Sequence, residues 1–287
     1  MIRKKLYSII LILAVLLILY GAGKMGSVWL NYHRGRREYE DLKNRFAEAG
    51  TDRNRGAEDT EKEDMGAEDR MMRQNRQDKD DGRNTGSRLP ADAPAPARVD
   101  FDALKRINQD VAGWIELPAV GLSYPIVQGE TNDSYLHTSI SGEYLFAGCI
   151  FLDSLNDKKF RNLNSIVYGH NMRDGSMFAK IREYQKQETV DQCPYFWIET
   201  PDDDLLYRIV SVHSAVPGSF TFAIRFGDAA TFESWQEKMK EESVLPMPFE
   251  EKPENRIVTL STCTDQSAFR QVVQGVRIAE VKRPADP

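Results

Sequence analysis

Cysteine and histidine are scarce in this chain, with three of the first and four of the second among 287 residues. Three cysteines exclude a disulfide-stapled scaffold, which needs a denser and even set. They also exclude a four-thiolate zinc site, and neither a C-x-x-C nor an H-E-x-x-H spacing occurs. Positive charge is not in excess: the formal net charge is -6. Nothing therefore attracts phosphate backbones in general, and no nucleic-acid partner is expected. Phe, Tyr and Trp are missing altogether from Ala47 to Asp100, and about half of the positions from Thr51 to Arg88 are charged. Such a stretch cannot bury enough apolar surface to offset its ordering entropy, so it is expected to stay disordered. Length alone, at roughly 150 residues per domain, would suggest two domains. With the first third non-globular, the chain has room for one.

What is present begins with an apolar run. Arg3, Lys4 and Lys5 precede Leu6 to Tyr20, which Gly21, Ala22 and Gly23 extend. At about 1.5 Å per residue this run spans roughly 27 Å, enough for a bilayer core. Its length favours a retained anchor over a cleaved signal peptide, and the basic residues before it favour an amino terminus inside and the body outside. The expected organisation is a membrane anchor at 1–24, a polar spacer at 25–98 that includes a short polar helix from Trp29 to Ala49, and one catalytic domain at 99–284. The spacer reads as a tether holding that domain off the membrane.

Periodicity starts near Asp100, which is placed to cap a short helix carrying Phe101, Leu104 and Val111. Runs of strand character follow at Leu122–Gln128, Cys149–Asp153, Ser165–His170, Tyr195–Glu199, Leu205–Ala215, Arg256–Cys263 and Arg270–Val281. Two helices interrupt them, one capped by Ser176 and one by Asp228, the second carrying Phe232, Trp235 and Met239 as a core stripe. The pattern predicts a mostly antiparallel, decorated β-barrel.

The few nucleophile candidates separate by context. Cys149 lies in the apolar run Gly148-Cys149-Ile150-Phe151, where an inert buried thiol is usual, and Cys193 has no cationic neighbour in sequence. Cys263 ends the strand Ile257–Cys263, which delivers it to a sheet rim on one face with Ser261 and Thr259. Arg270 opens the next strand after the turn Thr264–Phe269, so a hairpin brings it towards Cys263, whereas Arg277 has the opposite parity. Among the histidines, His170 at the end of Ile166-Val167-Tyr168-Gly169-His170 leads, with His213 next. His137 falls in a loop and His33 next to the membrane. These residues alone leave the partner of Cys263 open.

Taken together, Tyr168-Gly169-His170-Asn171-Met172, Thr259-Leu260-Ser261-Thr262-Cys263 and the following Arg270 resemble the His, Cys and Arg motifs of the sortases, in their class B form. The similarity continues through Tyr124-Pro125-Ile126-Val127-Gln128-Gly129, Asn132-Asp133-Ser134-Tyr135-Leu136 and Gly148–Asp153. It covers essentially the whole domain.

The resemblance implies a closed sortase β-barrel of about eight strands, with an amino-terminal helical extension and a helix before the Cys strand. It also implies a membrane-anchored cysteine transpeptidase outside a Gram-positive cell, one that needs no metal and no cofactor. Catalysis would rest on His170, Cys263 and Arg270, and Asn132, Leu136 and Ser261 would line the substrate groove. The partners implied are secreted proteins bearing a sorting signal and an amine of peptidoglycan or its precursor. A pilin-polymerising enzyme, a cysteine hydrolase and a tethered barrel without turnover are the alternatives.

Overall fold

The computed structural model describes residues 2–48, 89–263 and 268–283. Most of the expected spacer and four residues of the turn Thr264–Phe269 lie outside the described residues. Helix α1 spans Ile2–Phe46 without a break. Two-residue strands β1 (Ala47–Glu48) and β2 (Arg98–Val99) follow and pair antiparallel, so the chain returns at Arg98 to the point it left at Glu48. Helix α2 (Phe101–Ile107) is capped by Asp100, whose side chain accepts from the Ala103 N–H at 2.8 Å.

The remaining strands are β3 (Val111–Leu117), β4 (Leu122–Val127), β5 (Ile150–Leu152), β6 (Asn164–His170), β7 (Tyr195–Glu199), β8 (Asp203–Ala215), β9 (Ile257–Cys263) and β10 (Arg270–Lys282). These eight close into a barrel, as expected, and their order is β10-β8-β7-β3-β4-β5-β6-β9. Six of its seams are antiparallel, and β4–β5 and β6–β9 are parallel. Helix α3 (Gln187–Gln192) precedes β7, and helix α4 (Ala229–Glu241) lies between β8 and β9. Asp228 caps α4 by accepting from the Thr231 N–H, and Phe232, Trp235 and Met239 are buried as the stripe predicted.

Three local expectations change. Val111 does not end a helix; it opens β3, a strand buried on nearly every residue. A strand covered on both faces shows no period-two alternation, which hides it from a pattern reading. Ser176 does not cap its helix. Its hydroxyl donates to Asp174, and the segment that follows, Phe178–Gln185, is a 3-10 helix starting after Met177 at φ 54°. The helix expected from Trp29 to Ala49 is not a separate short one, because α1 runs unbroken to Phe46 and lays Tyr39, Leu42 and Phe46 into the barrel's core cluster. That i, i+3, i+7 spacing is a narrow apolar stripe in an otherwise charged helix.

The arm before β2 is also tied down. The Trp197 indole N–H donates to the Pro94 carbonyl at 2.8 Å, and the Ala97 N–H donates to Glu199 at 3.1 Å. Glu199 is fully buried, and burial, with the nearby Glu116 and Asp204 carboxylates, pushes its pKa well above the usual range.

Candidate active site

The parallel seam between β6 and β9 sets the site. Its register runs from Asn164 beside Ile257 to His170 beside Cys263, so both strands end together and bring these two residues side by side. The last rung continues past the strand ends, where the Asn171 N–H donates to the Cys263 carbonyl at 3.3 Å. Gly169, next to His170, lets Ile150 and Phe178 pack directly against the β6 backbone. A Cβ there would lie 2.7 Å from the Phe178 ring and closer still to Ile150.

Arg270 enters from β10. One of its Nη atoms donates to the Thr262 carbonyl at 3.4 Å, and the Gln271 N–H donates to the Thr262 hydroxyl at 3.0 Å. The guanidinium is therefore held one residue from Cys263. His170, Cys263 and Arg270, which the sequence brought forward separately, meet at one rim of the barrel.

The rejected candidates are accounted for. Cys149 is fully buried, donates to the Thr138 carbonyl at 3.2 Å, and burial pushes its thiol up to about 12. Burial also raises the Cys193 thiol. His213 is locked between the Ser211 hydroxyl at 3.0 Å and the Thr221 hydroxyl at 3.2 Å, and burial lowers it to about 4, which keeps it neutral. It is a core histidine.

The three groove candidates have distinct surroundings. Asn132 donates to Asp153 at 2.9 Å and accepts from the Ser154 N–H at 2.8 Å. Leu136 is half-buried, and its carbonyl lies 2.8 Å from His170 Nε2. Ser261 is fully buried beside Tyr168 and Val272, with its hydroxyl on the Thr262 carbonyl at 3.4 Å.

Other residues of the site were given no role of their own by the sequence reading. Asp153 is buried and accepts from both Asn132 and the Tyr168 hydroxyl, tying the loop around residue 132 to β6. Burial first and Asp153 second raise the Tyr168 hydroxyl strongly; Cys263 raises it further and Arg270 lowers it. Phe222 stacks on Tyr168 at 6.4 Å from the turn after β8. His137 and Phe146 stack on His170. Only a fold could show these meetings, because each joins segments far apart in sequence. Among the described residues no cluster of potential metal ligands occurs.

A thiol, an imidazole and a guanidinium so placed suit acyl transfer through a covalent thioester. Comparison with known proteins agrees. The family model described as the sortase domain matches residues 115–278. Sortase B of Listeria monocytogenes is 34% identical over 181 residues, covering 62% of this chain and 74% of that protein. Sortase B of Staphylococcus aureus is 29% identical over 186 residues, covering 64% and 76%. The crystal structure of sortase B from B. anthracis aligns with a TM-score of 0.65 at 26% identity, covering 89% of this chain and all of that one. Strand order, the assembled rim and these matches lead to one conclusion: the chain belongs to the sortase family, as a cysteine transpeptidase of class B.

Proposed function

We propose that this chain is a membrane-anchored transpeptidase. It cleaves a carboxy-terminal sorting signal on secreted proteins and passes the acyl group to an amine of peptidoglycan or its precursor. The observation that carries this reading is the in-register end of β6 and β9, with His170 beside Cys263 and Arg270 against Thr262.

Cys263, as thiolate, attacks the carbonyl carbon of a Thr in the signal peptide, forming a C–S bond and a tetrahedral oxyanion. Arg270, always charged, stabilises that oxyanion. The C–N bond then breaks, and the His170 imidazolium gives its proton to the leaving amine. In the second half the acceptor amine attacks the thioester, His170 takes a proton from it, and the thiolate leaves. Protons and charge return to their starting places, and no oxidant or metal enters. Asn132, Leu136 and Ser261 line the substrate groove in this reading.

Helix α1 is long and apolar enough to cross a membrane, and Leu11 to Tyr20 are exposed on its surface. With Arg3, Lys4 and Lys5 inside, the barrel is extracellular on a single-pass anchor.

The test offers the protein a quenched pentapeptide library carrying one fixed Thr, with hydroxylamine as acceptor. Amine-dependent product that vanishes in Cys263→Ala is expected. Ligation surviving in that variant would overturn the reading, and product forming equally without any amine would make the enzyme a hydrolase. Peptidoglycan stem peptides and pilin-type Lys peptides, offered as acceptors in turn, decide between wall attachment and pilin assembly.

A further inference from the structure

We propose that His137 and Phe146 are positioning residues that hold the His170 imidazole in the orientation it needs for proton exchange at Cys263. This rests on His170 being the proton-transfer group. The three rings form a triangle: His137 to His170 at 5.3 Å and 26°, Phe146 to His170 at 6.1 Å and 24°, and His137 to Phe146 at 5.8 Å and 22°. All three pairs fall in the range of offset-stacked aromatic contacts.

The grip is double. His170 Nε2 lies 2.8 Å from the Leu136 carbonyl, and the next residue, His137, covers a face of the same ring. A carbonyl can only accept, so Nε2 donates to it and the bond ties that edge of the ring to the loop. Rotation about an imidazole's χ2 is broad and roughly two-fold in energy, so a single hydrogen bond fixes the edge of the ring but leaves its tilt soft. Two stacked neighbours supply the missing restraint.

His137 is itself held, with Nδ1 3.1 Å from the Phe146 carbonyl. Phe146 is 42% exposed and therefore does little for the core, whereas its neighbour Leu145 is buried against Gly35 of α1. Tyr32 of α1 meets the Phe146 ring at 6.3 Å, and the Tyr39 hydroxyl donates to the Gly148 carbonyl at the end of the same loop. The membrane-side helix thus backs the loop that backs the imidazole.

The test uses the full chain in detergent micelles, with the Thr pentapeptide selected from the library and hydroxylamine as acceptor. His137→Leu and the surface variant Phe146→Leu are each expected to lower kcat roughly tenfold, the effect of losing one or two ring contacts, with KM and melting temperature close to wild type. His137→Phe keeps a ring in place and is expected to recover most of the loss. By NMR, the upfield ring-current shift of the His170 Cε1 proton should shrink in His137→Leu, where only the Phe146 ring remains, and be restored in His137→Phe. Wild-type kcat in both Leu variants would overturn the proposal, and so would a His137→Phe variant as slow as His137→Leu. His170→Gln is the separate control: full turnover in it would overturn the reading of the site, whatever the two positioning variants do.

Discussion

Cys263 and His170 are neighbours because of backbone register, and Arg270 joins them through a carbonyl one residue from the thiol. That arrangement makes the guanidinium's shape matter as much as its charge. Arg270→Lys is expected to lower kcat/KM by roughly tenfold or more, since an ammonium cannot hold the Thr262 carbonyl and a substrate oxyanion with one planar fork. Steady-state rates with the Thr pentapeptide check this, and near-wild-type turnover would remove Arg270 from the oxyanion role.

His213 gives a different kind of prediction. Its folded-state pKa is near 4 against an ordinary 6.5. Between roughly pH 6.5 and 4 the unfolded chain takes up a proton that the folded chain refuses, so stability falls as pH falls through that window. Asp204, pushed up to about 6 by burial despite Arg283, works in the opposite sense and loses stability as pH rises over its own range. Thermal melts of wild type and His213→Gln at several pH values separate the two. The variant should lose less of its melting temperature between pH 7 and 4.5, and parallel slopes would contradict the assignment. The sequence placed His213 second only because it could not show that Ser211 and Thr221 close around it.

At the scale of elements, the strands whose residues alternate or are β-branched were legible, and β3 was not. Its burial on both faces erases the period that a reader looks for. Parallel pairing was equally hidden, because β6 and β9 are separated by β7, β8 and α4, and only closure of the barrel makes them neighbours. The loop ahead of β5 shows how a motif can be visible while its reason is not. Gly148 stands at φ 53°, and a Cβ on it would collide with the carbonyls of Tyr135 and Leu136. The Leu136 carbonyl is the one that meets His170. Gly148→Ala is therefore expected to lower transpeptidation by roughly tenfold or more and also to lower the melting temperature, since both the backbone conformation and the carbonyl must give way. An unchanged rate with the Thr pentapeptide would mean that this carbonyl does not govern the imidazole.

Across the whole molecule, α1 changes what the amino-terminal third does. The charged composition of 25–46 reads as spacer, yet Tyr39, Leu42 and Phe46 pack into the barrel cluster and β1 pairs with β2. Three apolar residues among many charged ones are too few to stand out in a composition, but they suffice once a barrel wall is there to meet them. The link between the apolar segment and the barrel is thus the helix itself, about 18 Å of it from Tyr20 to Tyr32. Because β1 pairs with β2, the residues that join them do not set that distance. Replacing 49–88 with a short Gly-Ser linker is expected to leave kcat/KM and melting temperature within error of wild type, measured in the same micelles. A large loss of either would show that the segment contributes to the folded enzyme.

The central claim is that the thiol of residue 263 carries the acyl group between donor and acceptor. Mass spectrometry of the intact chain, quenched during turnover with the Thr pentapeptide and no amine, tests it most directly. The expected result is a mass increase equal to the acyl fragment, mapped by tandem spectra to Cys263 and discharged within seconds when hydroxylamine is added. An adduct on Cys193, or cleavage of the peptide with no adduct at any thiol, would contradict it.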